Sequence, residues 1–304
     1  MKKLFTILLA TLALSANAGQ LVPIVWPFAT GANQANFIRV IVEQANKEQN
    51  KYTFYYDNKP GAGGTIAARY VEDYKGIAIL SSSSSYWIRP EFYPNESYKT
   101  SDFKPVLIEC TGQPYSLVSA KYKSLEEIRK EKILNIGVIL GSLTEANARE
   151  VQTLLPDTKL NFIPFNGTLV STQEMIAGRL DLNIDLPAEL KQWTDLGTVH
   201  VIGASGTKSY PGLPTWDSQG IKGFGGLVSN YQMVVSAKVD EPTRLELHKI
   251  LRKAANNSAE LPALYDRDRC TGANMDYKET TAIYSKWSEY WPRKLQVLKK
   301  VNNE

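Results

Sequence analysis

Residues 57–66 read DNKPGAGGTI, with three glycines in four positions after an Asn-Lys-Pro turn. Glycines leave room for another molecule to approach the backbone closely, and backbone N–H groups at a helix start can hold an anion. That chemistry needs a strand before the glycines and a helix after them. YTFYYD (52–57) is aromatic and β-prone, and TIAARYVEDY (65–74) places Ile66, Tyr70 and Val71 on one helical face. The first N–H groups of such a helix lack internal partners and carry its partial positive charge. A dinucleotide fingerprint needs glycine where Ile66 stands, and the Gly-Lys-Ser/Thr ending of a P-loop is absent. The plainer reading is a tight turn whose glycines supply only positive φ.

Other reactive side chains are sparse. His200 lies inside the apolar run TVHVIG and His248 inside the helical pattern LELHKIL, positions that suit structural or surface roles. No HExxH, CxxC or G-x-S-x-G motif occurs, so neither a metal centre nor a nucleophile elbow is expected. Asp181 and Asp185 flank a strand, where carboxylates most often cap the next helix. The chain is read as having no catalytic residues, no metal and no cofactor. Cys110 and Cys270 are compatible with one disulfide between distant segments or with two buried thiols.

The elements that must position the glycines alternate. LVPIVWPF (21–28) is an apolar strand followed by the polar loop ATGANQ. NFIRVIVEQANK (36–47) has Phe37, Val40, Ile41 and Gln44 at helical spacing. GIAIL (76–80) leads into SSSSS (81–85), read as an ordered strand-end loop. PVLIE (105–109) and YSLVSA (115–120) are strands. SLEEIRKEK (124–132) starts with Ser124 and Glu127 in a capping box. The spacing then predicts strands at 133–140, 160–165, 180–185, 198–205 and 227–237. Helices are predicted at 143–155, opened by Ser142 or Thr144, at 170–178 with Gly178 as cap, at 187–193, 241–258 and 277–300. Pro292 is expected to start or kink the last part of the final helix. This alternation predicts an α/β fold with mainly parallel sheets. The small polar loops ATGANQ, GAGGT, SSSSS, GSLT and FNGT fall after strands, where open α/β sheets bind ligands. That clustering favours the glycine run as one wall of a cleft lined by amides and hydroxyls.

The 304 residues suffice for two lobes, and 43% hydrophobic with 22% charged residues is a globular composition. MKK, the apolar run LFTILLATLALS and Ala16-Asn17-Ala18 have the order of a secretory signal, with cleavage expected after Ala18. Cleavage removes Lys2 and Lys3 and brings the formal charge from +4 to +2. The basic residues form no dense run, so no nucleic-acid partner is indicated.

Six blocks in order resemble the extracytoplasmic solute receptors of tripartite tricarboxylate transporters, also called Bug receptors. They are VPIVWPFATGANQANFIRVI, DNKPGAGGTIAA, SSSSSYWIRPEFYP, SDFKPV, FIPFNGTLVSTQEMIAGRLDLNID and SYPGLPTWDSQGIKGF. The resemblance runs from about Val22 to the last helix, nearly the whole mature chain. The resemblance implies a two-lobed periplasmic-binding-protein fold (type II-like) with a double-crossing hinge and a ligand cleft between the lobes. It implies a periplasmic monomer that closes on a small carboxylate and partners large and small membrane permease subunits. The lobes are expected at 20–119 plus 227–304 and at 120–226. Carried over by position, the ligand residues are Phe28, Thr30, Gly31, Ala32, Ala62, Gly63, Gly64, Ser82, Ser83, Ser84, Ser142, Thr144, Asn166 and Asp185.

The family pattern is not followed everywhere. Its second glycine in the first loop is Ala32, its following Asp falls at Ala35, and its Lys before the turn glycine is Asn166. Only Gly141 is near the register of its second-lobe Ser-Gly-x-Gly. These departures surround the cleft and bear on ligand identity. Two alternatives stay open: a receptor of the same fold that reports to a sensor kinase, and a secreted enzyme, which would need a convergent acid, base or nucleophile.

Overall fold

The computed structural model describes residues 19–29, 34–206 and 210–301. The expected signal segment and Thr30, Gly31 and Ala32 lie outside the described residues. The chain begins with β1 (Gln20–Trp26), α1 (Gln34–Glu48), β2 (Tyr52–Asn58), α2 (Thr65–Asp73), β3 (Ile79–Ser82), α3 (Ser85–Phe92) and β4 (Phe103–Gln113). It continues through β5 (Ser116–Ser119), α4 (Leu125–Ile128), β6 (Ile133–Val138), α5 (Leu143–Thr153), β7 (Lys159–Pro164), α6 (Thr168–Ile176), β8 (Leu182–Asp185), α7 (Pro187–Asp195) and β9 (His200–Ala204). It returns through β10 (Ser229–Ser236), α8 (Glu241–Asn257), α9 (Leu261–Arg267), β11 (Thr271–Gly272) and α10 (Tyr277–Leu298).

Two sheets result, ordered β11-β4-β10-β3-β1-β2 and β7-β6-β8-β5-β9. The chain passes between them twice, at 113–116 and at 204–229. The βαβ units are parallel: β1 with β2 and β3, and β6 with β7 and β8. The strands next to the crossings run the other way. β10 is antiparallel to β3 and β4, and β5 to β8 and β9. The sheets are therefore mixed rather than mainly parallel, because a strand entering from the other lobe has no crossover helix to fix its direction. β5 hydrogen-bonds only within the second sheet, so the hand-over lies at Pro114-Tyr115, ahead of position 119.

Local chemistry explains several element boundaries. The serine run is no loop: Ser81 and Ser82 end β3 and Ser85 starts α3, and all five serines are buried. Pro90 inside α3 removes the donor that the Tyr86 carbonyl would have received, and the Tyr98 hydroxyl donates to that carbonyl instead at 2.8 Å. Pro292 does not break α10, which continues to Leu298. Ser288, four residues earlier, is exposed, where water can take over the lost bond. α1 buries Phe37, Ile38, Ile41 and Ala45 in one core with Leu247, Leu251 and Ala254 of α8, while Val40 and Gln44 are only half-buried. Ser124 caps α4 by accepting from Glu127 N–H, but the Glu127 carboxylate receives the Lys123 N–H rather than that of Ser124.

α10 packs on α3 of the first lobe and α5 of the second. Lys294 pairs with Glu150 at 2.6 Å, and Arg149 donates to the Val301 carbonyl at 3.0 Å. Cys110 and Cys270 are joined in a disulfide with Cα atoms 5.8 Å apart, which tethers β4 to the segment before β11.

Glu109 is buried in the first sheet, and the Ser81 hydroxyl donates to it at 2.7 Å. Burial pushes its carboxyl up from 4.5 to about 7. A carboxyl raised in the folded state gives stability that is full below its unfolded value and lost as pH rises through the folded one. The window here is pH 4.5 to 7, and the loss is on the order of 3 kcal/mol. Glu109→Gln should flatten this part of the stability profile and be the more stable form at pH above that window. Urea unfolding across the window checks this, and parallel profiles for variant and wild type would refute it.

Candidate ligand site

The carboxyl ends of β1, β3, β6, β7 and β8 converge between the two sheets, and each supplies one segment of the wall of a cavity of about 210 Å³. Trp26 ends β1 and Phe28 and Ala29 follow it, and Ser83 and Ser85 follow β3. Ile139, Ser142 and Thr144 follow β6, while Gly167, Thr168, Leu169 and Val170 follow β7. Asp185, Leu186 and Glu189 come from the end of β8 and the start of α7. Tyr115 from the first crossing and Tyr231 of β10 complete the wall. No lysine, arginine or histidine is among these lining residues.

The hydroxyls are held in a specific way. Ser83 Oγ accepts from Ser85 N–H at 3.2 Å, and Ser85 Oγ accepts from Leu143 N–H at 3.1 Å. Ser142 Oγ accepts from Thr144 N–H at 3.1 Å, and Ile139 N–H donates to Thr144 Oγ1 at 2.8 Å. The Ser142 and Thr144 hydroxyls bond each other at 2.9 Å, so one of their two protons remains. Their lone pairs are thus engaged by amides at the N-termini of α3 and α5. Among the described groups, Ser83 and Ser85 have no acceptor for their protons. Hydroxyls polarised by helix N-termini are donors suited to an anion.

Asp185 is 1% exposed. Leu186 N–H donates to its Oδ1 at 2.8 Å and the Thr172 hydroxyl to its Oδ2 at 2.9 Å. Burial, the largest influence, pushes its carboxyl up from 3.8 to about 7 against these bonds.

Of the residues expected at the site, Phe28, Ser83, Ser142, Thr144 and Asp185 line this cavity, and Ala62, Gly63, Gly64, Ser82, Ser84 and Asn166 do not. Ser82 pairs inside the sheet with Gln232. Ser84 accepts from Asn230 N–H and donates to the Val228 carbonyl, which ties α3 to the second crossing. Asn166 is exposed, and its neighbour Gly167 takes the place in the wall.

The glycine run contacts the second lobe at Leu140, next to Ile139 of the cavity wall. Residues 61–64 all have positive φ, Ala62 included. A Cβ on Gly63 would stand 2.5 Å from the Leu140 carbonyl and 3.1 Å from Arg89 Cδ. The glycines allow the two lobes to approach backbone to backbone around Arg89. The same segment also positions the cavity wall, because Asn58 Nδ2 donates to the Trp26 carbonyl at 3.0 Å and the Phe28 carbonyl at 2.7 Å. Gly63→Ala should cost about 1–3 kcal/mol through overpacking. Chemical denaturation measures this, and an unchanged stability would mean that the close approach is not required.

Sequence reasoning missed the apolar and acidic wall: Trp26, Tyr115, Ile139, Leu169, Val170, Leu186, Glu189 and Tyr231. His248 is buried against the Val106 carbonyl at 2.8 Å, and neither histidine lines the cavity. Among the described residues no group of three His, Cys, Asp or Glu side chains could hold a metal. A second cavity, lined in part by Lys191, Arg267 and Arg269, lies on the other side of α7. Lys191 pairs with Asp195 and Arg267 with Asp268, while Arg269 lies over the Tyr210 ring and its buried Nη1 has no hydrogen-bond partner among the described residues.

Two α/β lobes crossed twice by the chain, with a cavity between them walled by hydroxyls and rings, define a two-lobed solute receptor. The chain belongs to the tripartite tricarboxylate transporter family receptors, whose family model matches residues 37–287. This is a family of solute-binding receptors rather than of enzymes. A UPF0065 protein from the tcbD-tcbE intergenic region of Pseudomonas sp. (strain P51) is 25% identical over 219 residues, 66% of this chain and 65% of that protein. The matched part thus spans just under two thirds of that relative. Among solved structures, the periplasmic binding protein BugD superposes with a TM-score of 0.80 at 21% identity, covering 92% of this chain and 97% of BugD. An R. palustris protein solved with adipate gives 0.78 at 18% identity, covering 92% and 97%. MatC from Rhodopseudomonas palustris, with bound malate, gives 0.74 at 19% identity, covering 91% and 98%.

Proposed function

We propose that this protein captures a small carboxylate in the cavity between its lobes and delivers it to a tripartite membrane permease. The observation that carries the reading is the set of hydroxyls at the N-termini of α3 and α5, which line the cavity with their lone pairs tied to amides. Such a site grips an anion by directed donors rather than by a salt bridge, so binding should depend weakly on ionic strength. Adipate and malate in structurally similar proteins support the ligand class. Family membership and the leader-like residues 1–18 support export to the periplasm, with cleavage after Ala18. Among the described residues no helix is long and apolar enough to cross a membrane.

A thermal-shift screen of mono-, di- and tricarboxylates tests the capture step. A ligand at a hundredfold excess over its Kd should add about 2.7 kcal/mol of stability. Gly167 has extended φ, and its side-chain direction meets only Ala29 of the opposite lobe at 3.5 Å. Gly167→Leu should therefore fold, fill the cavity and abolish the shift. A shift that persists undiminished in this variant would place the ligand elsewhere.

A further inference from the structure

Arg269 departs from two local rules at once. Its φ is +55°, a left-handed backbone that residues with a Cβ seldom adopt. Its guanidinium is half-buried and lies over the Tyr210 ring, with the central carbon 5.5 Å from the ring centroid. Among the described residues it has no carboxylate partner, and its Nη1 is buried without a hydrogen bond. Burial pulls its pKa below the usual guanidinium value. The position is nonetheless held firmly. Cys270 is bridged to Cys110, Asp268 is buried, and the Arg269 N–H donates to the Asp266 carbonyl at 3.1 Å. The Tyr210 hydroxyl reaches the Arg269 carbonyl at 3.3 Å. A fixed, strained and uncompensated cation marks a place that an outside group completes.

That place is the second cavity, of about 360 Å³, behind α7. Arg269 lines it with Arg267 of the first lobe, Leu213 of the second crossing and Lys191 of α7 in the second lobe. The cavity therefore straddles the hinge, apart from the hydroxyl-lined cavity. Asp195 is the one carboxylate in its wall, and it pairs with Lys191 at 2.7 Å. Arg267 gives Nε and Nη2 to Asp268, which leaves its Nη1 for another acceptor. Setting Lys191 against Asp195 and Arg267 against Asp268 leaves the charge of Arg269 unbalanced. The donors come from elements on different sides of the cavity. A tetrahedral oxyanion has acceptors in every direction and suits them, whereas a carboxylate offers acceptors along one edge.

We propose that the cavity behind α7 is a second ligand site, for a small tetrahedral oxyanion of the phosphate class. Arg269 supplies the charge, Arg267 a further donor and Lys191 the rim. The site does not depend on the carboxylate reading given above.

The test is calorimetric titration of the full mature chain with inorganic phosphate, against chloride at matched ionic strength. Phosphate should bind saturably, one per chain, and chloride should not. Arg269→Gly removes the guanidinium and suits the backbone, because glycine takes positive φ freely. It should unfold at no lower a urea midpoint in phosphate-free buffer and bind phosphate about tenfold or more weaker. Lys191→Gln changes an exposed side chain that the fold does not need, and it should weaken phosphate binding severalfold. Gly167→Leu, which fills the other cavity, should leave phosphate binding unchanged. Equal phosphate binding by wild type, Arg269→Gly and Lys191→Gln would overturn the site and make Arg269 a structural residue. Loss of phosphate binding in Gly167→Leu alone would put the ion in the hydroxyl-lined cavity and overturn it too. Wild type that binds no phosphate saturably, or responds equally to chloride, would show only general salt effects and also overturn it.

Discussion

Replacing Cys110 and Cys270 together with alanine should lower the free energy of unfolding by about 4–5 kcal/mol, the chain-entropy scale for so long a closed loop. The bridge spans 160 residues, including the whole second lobe, and both sulfurs are buried. β11 is held to β4 by two residue pairs, Thr271 with Thr111 and Gly272 with Cys110, and by the Ala273 N–H donated to the Glu109 carbonyl at 3.1 Å. The bridge lies within the first lobe, and its Cys110 sits beside Tyr231 of the cavity wall across the β4–β10 ladder. The urea midpoint should fall. Unfolding of the double variant and of reduced wild type provides two readings of one quantity. A loss below about 1 kcal/mol in both would mean that the unfolded chain gains little from being cut free.

Glu145→Ala is expected to cost about 3–5 kcal/mol, the scale for breaking a buried ion pair. Glu145 is fully buried at the start of α5. It accepts from Gly141 N–H at 2.6 Å, from the Tyr93 hydroxyl at 3.2 Å and from Arg149 at 2.7 Å. Arg149 also reaches the Leu298 and Val301 carbonyls at the end of α10. One carboxylate thus joins the end of α3 in the first lobe, the loop before α5 in the second, and the helix that straddles both. Removing it strands a guanidinium, an amide and a phenol at once. Glu145→Gln keeps the volume and tests the charge alone, and it should recover only part of the loss. Equal stability of Glu145→Ala and wild type in chemical denaturation would show that the cluster is not a structural joint.

Much of the fold could be read from periodicity and turn chemistry, because βαβ units advertise themselves locally. β1, β2 and the helix after DNKPGAGGTI form as expected, as does the Ser142 cap of α5. What stayed hidden depends on partners far away in sequence. α3 carries Pro90 and begins on the last of five serines, and the Tyr98 hydroxyl satisfies the Tyr86 carbonyl that Pro90 leaves without a donor. α9 is seven residues, LPALYDR, too short to show a period. The direction of β5 and β10 is set by the crossings, which a pattern of apolar residues does not encode.

The site divides in the same way. Hydroxyls next to strand ends were visible as Ser83, Ser142 and Thr144, because loops after strands are where α/β proteins bind ligands. Tyr115, Ile139, Leu186 and Tyr231 look like any core residue until the lobes are placed face to face. The glycines were visible too, and their composition pointed at an approaching molecule. In the structure the group that comes close to Gly63 is the Leu140 carbonyl of the second lobe.

The most direct test of ligand capture between the lobes is a crystal structure of the mature protein with its tightest-binding carboxylate. The expected result places the carboxylate oxygens within hydrogen-bond distance of the hydroxyls of Ser83, Ser85 and the Ser142–Thr144 pair, with the rest of the ligand against Trp26, Phe28 and Tyr231. A ligand bound instead on the glycine run, or in the second cavity beside Arg267 and Arg269, would contradict it.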